Sequence, residues 1–141
     1  MKRRAASKNL LKTVISGSNC MVAFISLKGV SNMKVSNYLD SKPVDELPGV
    51  VKREVINADD GAPRFCMRVF EVEPGSSTPS HSHWWEHEVY VLDGQGVVLG
   101  EQGETRIERD SVVFVPPNER HRFTNDSDEL LRFICVIPLV D

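Results

Sequence analysis

An all-β sandwich or barrel with little helix is the fold class this sequence predicts, and three observations predict it. From about Val50 onward the chain breaks into short runs rich in β-branched and aromatic residues. Clusters of Gly, Pro, Asn and Asp punctuate those runs. After residue 50 no apolar period of about 3.6 residues is sustained anywhere, so helices have nothing to build a buried face from.

In chain order the predicted strands are Val50–Ile56, Arg64–Glu73, His87–Leu92, Gly96–Gly100, Glu104–Glu108, Ser111–Val115, Arg120–Thr124 and Glu129–Ile137. The turns between them fall at Asp59-Asp60-Gly61, Pro74-Gly75, Asp93-Gly94, Gln102-Gly103, Pro116-Pro117-Asn118 and Asn125-Asp126. In Arg64–Glu73, Phe65, Met67 and Val69 alternate with Cys66, Phe70 and Val72, so both faces of that strand are apolar. Both must be covered, by a facing sheet or by a second subunit, and a sandwich that forms a homodimer meets both needs.

With 141 residues, 40% of them apolar and 26% charged, the chain suits one folded domain with one core. Residues 1–32 carry Lys2, Arg3, Arg4, Lys8, Lys12 and Lys28 and no acid, which leaves 11 basic and 20 acidic side chains, a net of -9, for the rest. An acidic body repels phosphate backbones, and the basic head has no interleaved aromatics, so nucleic acid is not an expected partner. The apolar stretch Val14–Leu27 is interrupted by Ser16-Gly17-Ser18-Asn19 and falls short of the about 20 apolar residues a membrane helix needs, so no membrane association is expected. Residues 1–32 read as a disordered extension or as the product of an early start, with Met33-Lys34 a natural beginning, in preference to a targeting signal, and residues 33–141 as the barrel domain. Cys20, Cys66 and Cys135 form no CxxC pair, which points to a reducing cytoplasm rather than a disulfide framework. The sequon Asn125-Asp126-Ser127 matters only in a secretory pathway and is set aside.

All four histidines fall in two short segments, His81-Ser82-His83-Trp84-Trp85-Glu86-His87-Glu88 and Asn118-Glu119-Arg120-His121. In extended chain, residues two apart share a face, so His81 and His83 can address one point. The three residues before His87 can bend the chain so that the next strand aims its imidazole back at that point. His121 follows a proline turn from which a new strand can reach its neighbour. Neutral imidazoles suit Mn, Fe, Co, Ni, Cu or Zn, whereas Ca and Mg call for oxygen ligands.

These segments resemble the two motifs of the cupin family. Gly75-(five residues)-His81-x-His83-(three residues)-His87-(six residues)-Gly94 is similar to the first, and Asp110-(five)-Pro116-x-Asn118-(two)-His121-(three)-Asn125 to the second, with 15 residues between them. His87 stands where that motif has glutamate, and Asp110 and Asn118 where it has glycine. Asn tolerates left-handed backbone readily; Asp110 is the less obvious replacement. The resemblance implies a double-stranded β-helix, or jelly-roll, barrel. The run around His87 resembles the small monocupins that hold manganese on four histidines, which implies His81, His83, His87 and His121 as ligands of one divalent ion, Mn first, then Fe, Ni, Zn, Co or Cu. A rival registration puts Glu88 on the metal in place of His87. Strand alternation turns those two side chains to opposite faces, so only one of them can serve.

The same resemblance implies that Arg68, Phe133 and Cys135 line the metal cavity, with Arg68 suited to a carboxylate or oxyanion. One of Trp84 and Trp85 could roof it, and Glu86 or Glu88 could orient a histidine. The implied function is a metalloenzyme of dioxygenase type, an oxidoreductase acting on a small oxygenated organic molecule. A non-catalytic binding or sensing barrel and a metal-assisted isomerase or lyase stay open, because the fold serves all of them.

Overall fold

The computed structural model describes residues 33–139. The extension expected over residues 1–32, with Cys20 in it, lies outside the described residues. Nine strands follow one another: β1 (Pro43–Leu47), β2 (Val50–Ile56), β3 (Phe65–Val72), β4 (His87–Asp93), β5 (Gln95–Gly100), β6 (Gly103–Glu108), β7 (Val112–Val115), β8 (Arg122–Thr124) and β9 (Leu131–Pro138). Helix is confined, among the described residues, to two single 3-10 turns at Tyr38–Asp40 and Ala58–Asp60, each capped by the asparagine before it.

Two antiparallel sheets result, one in the order β1-β2-β3-β9-β4-β7 and one in the order β6-β5-β8. The non-local neighbours explain how a late segment reaches an early one. β9 lies between β3 and β4, with Arg68 opposite Cys135, Phe70 opposite Phe133 and Val72 opposite Leu131 on one side, and Val89 opposite Cys135 and Val91 opposite Phe133 on the other. Side chains alternate along each strand, so this register puts Val72, Phe70, Leu131, Phe133, Cys135, Val89 and Val91 on a single inward face. Val115, Ile107 and Phe123 meet them to complete the core. Three rings form its centre: Phe133 stacks on Phe70 at 5.1 Å and lies 4.8 Å from Phe123. Aromatic pairs at such separations add about 0.5–1.5 kcal/mol to the burial of their area.

β1 was not foreseen, because Pro43-Val-Asp-Glu-Leu shows neither alternation nor an apolar run. It is an edge strand paired only to β2, where a leading proline sacrifices no ladder hydrogen bond. The strand predicted from Arg120 begins at Arg122 instead, because His121 makes a separate two-residue bridge with His81.

The motif positions that lack glycine are explained by their backbone. Asp110 and Asn118 are the two non-glycine residues with positive φ among those described, at 69° and 68°. Asp110 is held there by its own N–H, which donates to the Val91 carbonyl at 3.0 Å, and by the Tyr90 hydroxyl, which donates to its carboxylate at 2.7 Å. Gly94, at φ 77°, cannot be replaced so easily, since a Cβ there would collide with the backbone of Leu130. Asn125, within the sequon, is fully buried: its amide donates to the carbonyls of Val72 and Glu129, and its oxygen accepts from the N–H and hydroxyl of Ser127. It is a clamp on the chain and offers no amide to a sugar. No helix among the described residues is long and apolar enough to cross a membrane.

Candidate metal centre

Backbone hydrogen bonds tie the two histidine segments together. His81 and His121 exchange N–H···O bonds at 3.2 and 2.9 Å, and the N–H of Asn118 donates to the His83 carbonyl. That last bond depends on the left-handed turn at Asn118, so the glycine-like backbone of this residue serves the site directly. His87 arrives from the first position of β4, where it is buried and faces inward while Glu88 is exposed on the opposite face.

The ligand atoms of His81, His83 and His121 all lie within 4.8 Å of one another. Nitrogens on one ion at about 2.1 Å stand at most about 4.2 Å apart, so small side-chain movements bring these three to bonding distance. His87 falls outside that trio, but its ring centre is 4.6 Å from that of His121 and 5.1 Å from that of His83. Its Nε2 is buried and has no hydrogen-bond partner. Glu88, the rival to His87, lies across the sheet from Phe114 and Val136 and does not line the cavity.

Burial sets the protonation of the cluster. It pushes His81 down to about 4, with help from the neighbouring His83 and His121, and pushes His87 down to about 3, with help from His121 and Arg68. His83 moves the same way for the same first reason. The three are therefore neutral at physiological pH, which is the form that ligates a metal. The His121 Nδ1 lies 2.9 Å from the Glu119 carbonyl, which can only accept, so the proton sits on Nδ1 and the Nε2 lone pair is free. An unpartnered buried Nε2 on His87, a free Nε2 on His121 and a convergent His81–His83 pair make a donor set that fits a transition-metal ion.

Around the imidazoles lies a cavity of about 260 Å³, walled by Arg68, Phe70, Phe123, Phe133 and Cys135. Arg68 donates to the Cys135 sulfur at 2.9 Å, lies over the Phe70 ring at 5.3 Å and keeps a buried Nε without a partner. Burial pushes the Cys135 thiol up, against the pull of Arg68, so it stays protonated at neutral pH. Of the two tryptophans Trp85 lines the cavity, its ring parallel to His83 at 4.3 Å, whereas Trp84 is 67% exposed. Neither Glu86 nor Glu88 makes a hydrogen bond to a histidine among the described residues. The polar atoms that lie against the ring Nδ1 positions are the Glu119 carbonyl for His121 and the Cys135 sulfur for His87.

Six cavity residues, Glu46, Lys52, Phe70, Thr78, Pro79 and Phe123, were not anticipated. Glu46 and Lys52, an ion pair at 2.5 Å, come from the unforeseen β1 and its neighbour β2. Thr78 is buried and accepts from the Phe123 N–H; its place between Gly75 and His81, inside the first motif, was the available signal. A wider groove of about 540 Å³ between β5, β6 and β7 shares only His121 with this cavity and gathers no second histidine, so it is not the four-histidine centre.

Comparison with known proteins agrees with this architecture. The family model described as "Cupin domain" matches residues 68–137. A solved structure, the polyketide cyclase RemF from Streptomyces resistomycificus, is 36% identical with a TM-score of 0.70 over 76% of this chain and 80% of that one. The chain belongs to the cupin family. This cupin is also 29% identical over 108 residues to an oxalate-binding protein of Thermotoga maritima, covering 76% of this chain and 86% of the relative. It is 38% identical over 78 residues to the tetracenomycin polyketide synthase protein TcmJ of Streptomyces glaucescens, a match to 55% of this cupin that spans about half, 52%, of that protein.

Proposed function

We propose that this cupin is a metal-dependent enzyme that holds one divalent transition-metal ion on His81, His83, His87 and His121 and acts on a small oxygenated organic molecule. The observation that carries the reading is the buried, unpartnered Nε2 of His87 beside three converging imidazoles. A buried polar atom with no partner is costly, and a shared ion removes that cost. Once bound, such an ion supplies Lewis-acid polarisation of a carbonyl or carboxylate and, as Mn or Fe, a redox couple.

The chain's own groups select and orient the substrate. Arg68 keeps a buried Nε–H without a partner beside the phenylalanines of the cavity, an arrangement that grips a carboxylate or enolate oxygen. Phe70, Phe123 and Phe133 close the floor against water, which strengthens that charge–charge contact. At about 260 Å³ the cavity is slightly below the size that holds drug-like ligands, about 300–1,000 Å³. It takes a small acid, or the reacting end of a longer polyketone.

The dioxygenase reading rests on the metal set. A second reading, non-oxidative chemistry on an enolisable carbonyl, is favoured by the likeness to a polyketide cyclase and a polyketide synthase protein. Oxygen uptake by protein loaded in turn with Mn, Fe, Ni and Zn, measured against oxalate, 1,3-diketones and phenolics, separates them. A dioxygenase consumes oxygen with turnover, the alternative turns over anaerobically, and a barrel that binds a ligand without turnover in either condition overturns the enzyme reading. Exposed Phe65, Val112 and Phe114 support a homodimer, and the free thiols Cys66 and Cys135 support a cytoplasmic location.

A further inference from the structure

We propose that Cys135 is a positioning residue of the metal centre: its sulfur accepts the Nδ1–H of His87 and so leaves the His87 Nε2 lone pair free for the ion. The inference rests on the four-histidine reading above and adds the device that orients the fourth ring.

The register creates the contact. Cys135 lies opposite Arg68 on β3 and opposite Val89 on β4, and His87 is two residues before Val89, on the same inward face. The Cys135 sulfur is 3.3 Å from His87 Nδ1 and 2.9 Å from Arg68 Nη2, with both Cys135 and His87 buried. A guanidinium has only donors, so the sulfur is the acceptor in its bond to Arg68. A sulfur turned to accept there is placed to accept from Nδ1–H as well.

The competing arrangement fails on the other nitrogen. Arg68 Nη2 is also 3.4 Å from His87 Nδ1. Were it to donate there, the ring proton would sit on Nε2, a buried atom with no acceptor, facing a cluster of imidazoles. Nη2 carries two hydrogens and makes its shorter approach, 2.9 Å, to the sulfur, so the tautomer is decided by the unpartnered Nε2. His121 presents the same solution in oxygen, its Nδ1 against the Glu119 carbonyl. Histidines that bind metal commonly donate their second N–H to a carboxylate, a carbonyl or water; here a thiol sulfur takes that place.

Two substitutions separate an acceptor role from a packing role. Cys135→Val keeps the volume and apolar character but removes the acceptor, whereas Cys135→Ser keeps an acceptor in a less apolar, smaller group. Long-range 1H–15N spectra of metal-free protein should show His87 as the Nδ1–H tautomer in wild type and in Cys135→Ser, and a shift toward Nε2–H in Cys135→Val. Zn2+ affinity, read by competition with a chromophoric chelator, should fall about 10–100-fold in Cys135→Val and stay within several-fold in Cys135→Ser. The opposite pattern, Val tolerated and Ser impaired, assigns the residue to packing and overturns the proposal, as does a wild-type His87 protonated on Nε2. Absence of Zn2+ binding in wild type would remove the four-histidine reading, while the tautomer spectra still decide the role of the sulfur.

Discussion

Acid should unfold the metal-free protein through His87. In the unfolded chain this histidine takes up a proton near its ordinary value of 6.5, whereas in the folded chain burial, reinforced by His121 and Arg68, holds it at about 3. The unfolded state therefore binds the proton first. The stability contributed by the neutral ring is complete above pH 6.5 and is lost progressively as pH falls toward 3. At pH 4 the gap amounts to about 2.5 pH units, and at about 1.4 kcal/mol per unit it removes about 3 kcal/mol. That is a large share of the about 5–15 kcal/mol typical of a domain, and it corresponds to a fall of roughly 10 °C in Tm. His81, held at about 4 but more exposed, acts in the same direction with a smaller effect. The assay is a series of thermal melts of chelator-stripped wild type and His87→Gln between pH 7 and 4, followed by circular dichroism. Wild type should lose Tm steeply over this range and His87→Gln distinctly less. Equal slopes in the two proteins would refute the burial argument for His87.

Three further outcomes follow from the same geometry. Glu88→Gln should bind one metal ion per chain as wild type does, because the carboxylate is exposed on the far face of β4, whereas His87→Gln should bind it far more weakly; elemental analysis of the two variants checks this. Asn125→Ala should lower stability by about 3 kcal/mol in urea titrations, since it strips the carbonyls of Val72 and Glu129 of their amide donor and the N–H and hydroxyl of Ser127 of their acceptor. Asn118→Gly should leave stability and metal binding near wild type, while Asn118→Val, forced to the same φ of 68°, should cost about 1–2 kcal/mol and weaken metal binding by loosening the bond to the His83 carbonyl; melts and metal titration read both.

Much of this cupin could be read without coordinates because its signals are local. Alternation in β4 separates His87 from Glu88, and the HxH spacing pairs His81 with His83, each within a few residues. The proline turn before His121 likewise announces a new strand. β1 escaped because an edge strand carrying Pro43, Asp45 and Glu46 has no buried face to imprint a pattern, and Glu46 and Lys52 were missed in the cavity with it. Asp110 looked the less natural glycine substitute, since its left-handed backbone depends on Val91 and Tyr90, which are distant in sequence.

Taken alone, the order of residues determined which side chains could act together along one strand, because a strand repeats every two residues and that period is written in the chain. Which strands became neighbours was decided only by tertiary structure. β9 had to pass between β3 and β4 before Cys135 could touch both Arg68 and His87, and His121 had to bridge to His81 across 40 residues. Such pairings are selected by the joint burial of Phe70, Phe133, Leu131 and their neighbours, a free energy that belongs to the assembled core and to no single segment.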